Sequence, residues 1–500
     1  MSGGIKRLAK ETAVYGVSSI LGRFLNWCFV FLYINVLKTT AEYGIVTNLY
    51  AYMALLLIIL TYGLETGFFR FANDKKCEEP TTVYTTGLIS LASTSTLFFI
   101  LVLIFLSPVS DILGYPDGKN CIWMLALIIA MDAFTSLPFA FLRYKQKAVR
   151  FAVLKLISIA LNIILNLFFF LICPAIYKSK PELISWFFSP ERMVEYIFVS
   201  NLISSAVTLL LLLPEITGIK YHFDRKLWRR MLRYSFPLLI LGIAGIMNQT
   251  FDKMFYPLLA EHRPDYMGEL GVYGAAYKVA IVMVMFTQAF RFAYEPFIFA
   301  KNREDNTESK TIYASAMKYF IIFTLFIFLA VMFYIDIVKV LMPAKYFAGI
   351  KVVPIVMAGE IFFGVFYNLS LWYKLTDKTQ WGAWFSITGF IVTAAINIAF
   401  VPEYGYMACA WGAFFCYLVM MLTSYFIGQH YFPIKYDFKR IGAYAAITII
   451  LYAAAEYIAI DNIFIKYLFR TALLSVFIVY TVKRDMPLKE VKVISKLFKK

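Results

Sequence analysis

Residues 271–300, GVYGAAYKVAIVMVMFTQAFRFAYEPFIFA, are long and apolar enough to cross a bilayer, yet they include Lys278, Arg291 and Glu295. An ionised side chain near the centre of a membrane helix costs roughly 2.5–3.5 kcal/mol on insertion scales. Three in one span therefore call for protein or water around some of them. On a helical wheel Tyr273, Tyr277, Gln288, Arg291 and Glu295 fall along one stripe, with Lys278 well off it. A polar stripe on a lipophilic helix is what a solvent-filled transport cavity requires.

The rest of the chain has the same character. Of 500 residues, 61% are hydrophobic and 16% charged, and apolar runs long enough to span recur throughout. The fold class expected is an all-α polytopic membrane protein. About fourteen spans are read, at approximately 12–36, 44–70, 83–106, 121–142, 151–173, 194–214, 234–258, 271–299, 312–334, 352–374, 381–401, 406–428, 441–459 and 464–482. The six cysteines (Cys28, Cys77, Cys121, Cys173, Cys409 and Cys416) form no CxxC pair and read as small core residues. His222, His262 and His430 are isolated and placed in loops, so a metal site is not expected. The first span has no small-residue cleavage site before it and reads as a retained helix.

Charge placement sets the topology. With the N-terminus cytoplasmic, the inside segments carry Lys6, Arg7 and Lys10, then Arg143, Lys145, Lys147 and Arg150, the run at 220–233 and the basic tail at 483–500. The outside loops are poorer in Lys and Arg by roughly threefold, which places both termini in the cytoplasm. The net charge of +17 is thereby explained as topology, without nucleic acid. The segment KYHFDRKLWRRMLR at 220–233 reads either as a surface amphipathic helix or as a solvated linker.

That segment lies almost midway, and the two sides of it correspond. At a shift of about 230 residues Tyr43-Gly44 falls on Tyr273-Gly274 and Glu65 on Glu295, while Asp132 meets Glu360 at nearly the same shift. Matches in chain order argue for duplication. The expected organisation is an N-terminal lobe at 1–214 (spans 1–6), a basic linker at 215–233 and a C-terminal lobe at 234–428 (spans 7–12). The two last spans and the tail follow at 429–500. Six spans per repeat give both lobes one orientation, and the cleft between them is the expected substrate site.

The intramembrane charges divide by sign. Arg23, Lys253, Lys278 and Arg291 lie on spans 1, 7 and 8 and are the candidate cavity cations, suited to a phosphate or pyrophosphate headgroup. Glu65, Asp132, Asp252, Glu295 and Glu360 are the candidate cavity or lobe-locking acids. Glu65 and Glu295 can each lock helices by pairing with an arginine, and Arg291 and Glu295 are spaced to neutralise each other. Lys155, Lys318, Lys466 and Arg470 lie near span ends and read as snorkelling residues. At the repeat shift Arg291 falls on the neutral Thr61, which singles out the arginine as the specialised residue of one lobe.

The 6+6+2 pattern, LGVYGAAYKVA…FTQAFRFAYEPFIFA at 270–300 and PEYGYMACAWG at 402–412 resemble the bacterial polysaccharide-biosynthesis oligosaccharide flippases. These belong to the multidrug/oligosaccharidyl-lipid/polysaccharide exporter superfamily. The resemblance implies a transporter with no chemical step, located in the bacterial cytoplasmic (inner) membrane. Its substrate would be an undecaprenyl-pyrophosphate-linked oligosaccharide, moved from inner to outer leaflet by alternating access for surface polysaccharide biosynthesis. The implied partners are that lipid-linked substrate, membrane lipids and other polysaccharide-assembly proteins. No cofactor is implied, there is no GxxxxGK[ST] motif, and coupling to H+ or Na+ stays open. The alternatives are a cation-coupled multidrug exporter of the same superfamily, which an acidic cavity would favour, and a membrane glycan polymerase or acyltransferase. The polymerase reading lacks the large catalytic loop it needs.

Overall fold

The structure is a computed structural model describing residues 24, 27–74, 79–115, 118–301, 306–376, 378–458 and 460–485. The side chains at 292, 293, 295–301 and 306–309 are outside the description. Among the described residues all regular structure is helical, and thirteen helices are long and apolar enough to cross a membrane. After a shorter apolar helix α1 (Trp27–Val36) come α2 (Thr40–Ala72), α3 (Pro80–Ile104), α4 (Lys119–Tyr144), α5 (Ala148–Ser179), α6 (Met193–Leu211) and α7 (Arg225–Leu259). They are followed by α8 (Tyr266–Lys301), α9 (Asn306–Phe333), α10 (Ala344–Leu375), α11 (Gln380–Tyr404), α12 (Tyr406–Tyr431), α13 (Phe438–Tyr457) and α14 (Ile463–Arg484).

Three helices depart from the expected spans for local reasons. The backbone of α2 turns left-handed at Tyr62 (φ 32°) and Gly63 (φ 70°), so the helix restarts as Leu64–Ala72. Gly63 packs on Ser235 and Leu238, where a side chain would crowd. A π-helical stretch at Phe168–Ile172 carries α5 into the expected loop. The basic segment is neither a separate surface helix nor a linker beyond Asp224. The Asp224 carboxylate accepts from the Lys226 and Leu227 amides and caps α7, which then continues unbroken into its span. Leu227, Met231 and Ser235 form its buried face, and Arg225, Lys226, Arg229, Arg230 and Arg233 its exposed one.

The chain divides into two compact units, one made of residues up to Ala275 with Ser386–Gly412 and one of Ala276–Phe385 with the residues from Ala413 on. In the first, α4 is the central helix and is mostly buried. Its Leu125, Ile128, Ile129 and Ala133 pack with Leu49 and Phe198. The second unit has an aromatic core of Phe363, Phe366, Trp372, Phe385 and Tyr417, with the Phe363 and Tyr417 rings stacked at 4.4 Å. Helix α14 is largely exposed, leaving a long apolar face.

Glycines set the closest approach in the first unit. A Cβ on Gly44 would fall on the Met267 carbonyl oxygen, and one on Gly271 on the Thr40 carbonyl oxygen. The helices α2 and α8 cross backbone to backbone there. The Tyr-Gly steps matched by the repeat thus meet at one crossing, where Gly274 also faces Thr47. Of the described cysteines, Cys121, Cys173, Cys409 and Cys416 are buried as expected, whereas Cys28 is exposed. His430 closes helix α12 rather than lying in a loop.

Candidate functional site

The break in α2 places Glu65 in the first turn of a new helix, where the unpaired amides favour a carboxylate. There Glu65 is ion-paired with Arg143 from the end of α4. The guanidinium also lies 5.2 Å from the Phe69 ring centroid and 5.9 Å from that of Phe151. Its Nε is buried without a hydrogen-bond acceptor. Lys155 sits 3.9 Å over the Phe139 ring and feels the charges of Asp132, Arg143 and Glu65. Asp132 accepts a 2.8 Å hydrogen bond from Ser205 Oγ. Glu65 thus has the arginine partner that a locking role requires.

A second group joins α7 to α8 in the same unit. Lys253 Nζ lies 3.0 Å from Asp252 Oδ2, which also accepts a 2.6 Å bond from the Tyr273 hydroxyl. Pro257 has no N–H for the Lys253 carbonyl four residues earlier. Asn48 Nδ2 donates to that carbonyl at 2.7 Å and to the Met254 carbonyl at 3.1 Å. The Tyr115 hydroxyl holds Asn48 by donating to its Oδ1 at 2.7 Å. Lys253 is therefore charge-paired within its own helix rather than extended toward an interface.

In the second unit the stripe on α8 finds partners on α10. The Tyr277 hydroxyl donates to Glu360 Oε1 at 2.9 Å, and Glu360 is only 4% exposed. Four turns along α8, the Arg291 guanidinium stacks over the Tyr367 ring at 4.7 Å. Arg291, Tyr367, Thr287 and Asn368 line a cavity of about 10 Å³, room for roughly one water. Thr287 Oγ1 is buried there without a hydrogen-bond partner. Gly364 makes the approach possible, because a Cβ on it would strike the Phe320 ring.

Lys278, half-buried on α8, belongs to this unit. Arg23 and the Glu295 side chain lie outside the described residues.

The arrangement contains hydrogen-bond donors, cations and aromatic faces.

Residues 8–299, more than half of the chain, match the family described as Polysaccharide biosynthesis protein. The chain belongs to that family. No curated protein matches it in sequence. Among solved structures, the fold of this family member is similar to lipid II flippase MurJ in an inward closed conformation. The TM-score is 0.72 at 14% identity, over 93% of this chain and 98% of that one. It is also similar to an inward-facing multidrug resistance MATE family transporter of the MOP superfamily, with TM-score 0.65 at 15% identity, over 88% of this chain and 99% of that one. The fold is thus shared with a flippase and with a transporter of the MOP superfamily.

Some charged residues of this family member have other roles than their sequence positions suggest. Arg143 looks like one more positive-inside charge because it adjoins the basic loop. Lys318, Lys466 and Arg470 look like snorkelling side chains, but all three are ion-paired with aspartates at the ends of α14. Arg70 stacks over Tyr234 at 4.5 Å. The only hint in the sequence was the apolar context of these cations, since their partners lie far away along the chain.

Proposed function

We propose that this protein is a flippase for an undecaprenyl-pyrophosphate-linked oligosaccharide. It carries the polar headgroup from the inner to the outer leaflet of the cytoplasmic membrane, by exposing a binding cavity alternately to the two sides. Both termini are cytoplasmic, and the oligosaccharide is destined for a surface polysaccharide. What supports the reading, beyond the family, is Arg291. It is a cation within a span, stacked on an aromatic ring and bordered by hydroxyl and amide groups. A guanidinium oriented in this way suits the paired oxygens of a pyrophosphate, and the neighbouring Tyr367 and Asn368 suit a sugar. In the other unit Arg143 and Lys155 make the same use of phenylalanine faces.

The half-buried Asp132 and the buried Glu360, with the fold shared with a multidrug transporter, favour the second reading, a cation-coupled exporter.

The test replaces Arg291 by Ala and by Lys in the full-length protein, verifies insertion, and measures lipid-linked sugar reaching the outer leaflet. Loss of one charged hydrogen bond predicts a drop of roughly tenfold or more for Arg291→Ala, with partial activity for Arg291→Lys. Undiminished translocation by the alanine variant would refute the headgroup role. Dye efflux lost on Asp132→Asn or Glu360→Gln, with sugar translocation absent from the wild type, would establish the exporter instead.

A further inference from the structure

We propose that the cavity beside Asp336 is a binding site for the phosphate of a lipid headgroup. This inference does not depend on the transported substrate. The cavity has a volume of about 400 Å³ and lies where α9 ends, α10 begins and α13 connects to α14. Four cations, Lys339, Lys351, Lys466 and Arg470, and three carboxylates, Asp336, Glu456 and Asp461, supply its charged lining.

Three cations converge on one carboxylate. Lys339 Nζ is 2.8 Å from Asp336 Oδ1, while Lys466 Nζ and Arg470 Nη1 are 2.7 and 3.1 Å from Oδ2. With Lys351 counted, and Glu456 and Asp461 set beside Asp336, the lining keeps a surplus of one positive charge. Burial alone would raise the Asp336 pKa, but the bonds from Lys339 and Lys466 outweigh it and bring it down to about 2. Arg470, whose side chain is 7% exposed, is anchored by donating to the Phe333 carbonyl. Its Nε is buried with no acceptor. Glu456 does not meet that demand, since it lies 4.0 Å from Arg470 Nη2 with 48% of its side chain exposed. A phosphate brings the acceptor oxygens and negative charge that this group lacks.

The surroundings favour a lipid as the source of that phosphate. Val340, Ile463 and Phe464 are 83%, 68% and 74% exposed, and Ile458 and Ile460 line the cavity itself. Inorganic phosphate has no use for such apolar flanks, whereas acyl chains cover them. The connections α9–α10 and α13–α14 lie on one side of the membrane, the outer side if both termini are cytoplasmic. The ligand is thus an outer-leaflet lipid, and Asp336 competes with its phosphate for the same cations.

The full-length protein in a phosphate-free detergent is titrated with dioctanoyl phosphatidylglycerol, with inorganic phosphate and with dioctanoylglycerol, and binding is followed by the thermal unfolding midpoint. Phosphatidylglycerol is expected to bind and dioctanoylglycerol is not. Asp336→Asn removes the competitor and is expected to tighten binding about tenfold, and Lys351→Gln to weaken it about as much. Lys339, Lys466 and Arg470 already hold Asp336, so replacing Lys351 leaves those three bonds in place and keeps the test apart from folding. Equal binding of dioctanoylglycerol, or affinities unmoved by both substitutions, would overturn the site. Inorganic phosphate bound as tightly as the lipid would overturn the lipid assignment.

Discussion

The helix α14 is tied to the second unit at both ends by an aspartate, and the two ties differ in one respect. At its C-terminal end Asp485 receives Lys318 at 2.6 Å, Arg440 at 2.7 Å and the Tyr444 hydroxyl at 2.7 Å, with its side chain fully buried. At the other end Asp336 collects Lys339, Lys466 and Arg470, but its side chain is 20% exposed and adjoins the large cavity. Similar chemistry has opposite uses. Where the cluster is closed, it is a fastening between α9, α13 and α14. Where space remains beside it, surplus charge becomes available to a ligand.

The largest effect should follow from breaking the closed end. Asp485→Ala strands two cations around a buried position, and is expected to cost about 3–5 kcal/mol of stability, read as a lower unfolding midpoint in detergent. A loss smaller than that at the open end would reverse the comparison. Asp336→Asn should cost less, about 1.5–3 kcal/mol, because water and added anions reach its cations. Phosphatidylglycerol should restore part of that loss but none of the loss at Asp485.

The smallest effect is a pH dependence. A carboxyl whose folded pKa lies below its ordinary value of 3.8 stabilises the fold above that value and loses the contribution as pH falls toward the folded pKa, about 2 for Asp336. The gap in unfolding midpoint between wild type and Asp336→Asn should therefore be constant above about pH 4 and close between about pH 4 and 2. Burial acts to raise the pKa of Asp485 too, but bonds from Lys318, Tyr444 and Arg440 bring it below the ordinary value. The Asp336→Asn variant should consequently keep an acid-labile component of its own. A gap that widens on acidification would show that the Asp336 carboxylate does not carry the tie.

These ties show where the sequence was readable. Span number and helical class follow from apolar runs, which are local properties, and the acid at 65 announced a partner by its cost in lipid. The identity of that partner, Arg143, was hidden because an arginine beside a basic loop has a sufficient local explanation. Asp336 and Asp485 were not candidates at all, since each sits just outside a span. Lys318 and Asp485 are 167 positions apart, and Lys466 and Asp336 are 130 apart. No periodicity connects such residues. The left-handed turn at Tyr62-Gly63 was likewise masked, because an apolar run reads the same through a break. For Arg291 the repeat identified an unmatched charge, but its Tyr367 ring comes from α10 and is supplied only by folding.

The backbone crossing at Gly44 and Gly271 has a consequence for the order of biogenesis. The chain emerges from its N-terminus, so α2 enters the membrane long before α8 exists. Until then the notch at Gly44 faces lipid or a temporary neighbour, and the contact that makes glycine necessary cannot form. A bulkier residue at 44 would leave insertion of the early helices intact and obstruct only the late docking of α8. Such a variant should accumulate as a full-length, correctly inserted chain that proteases still recognise as unfinished.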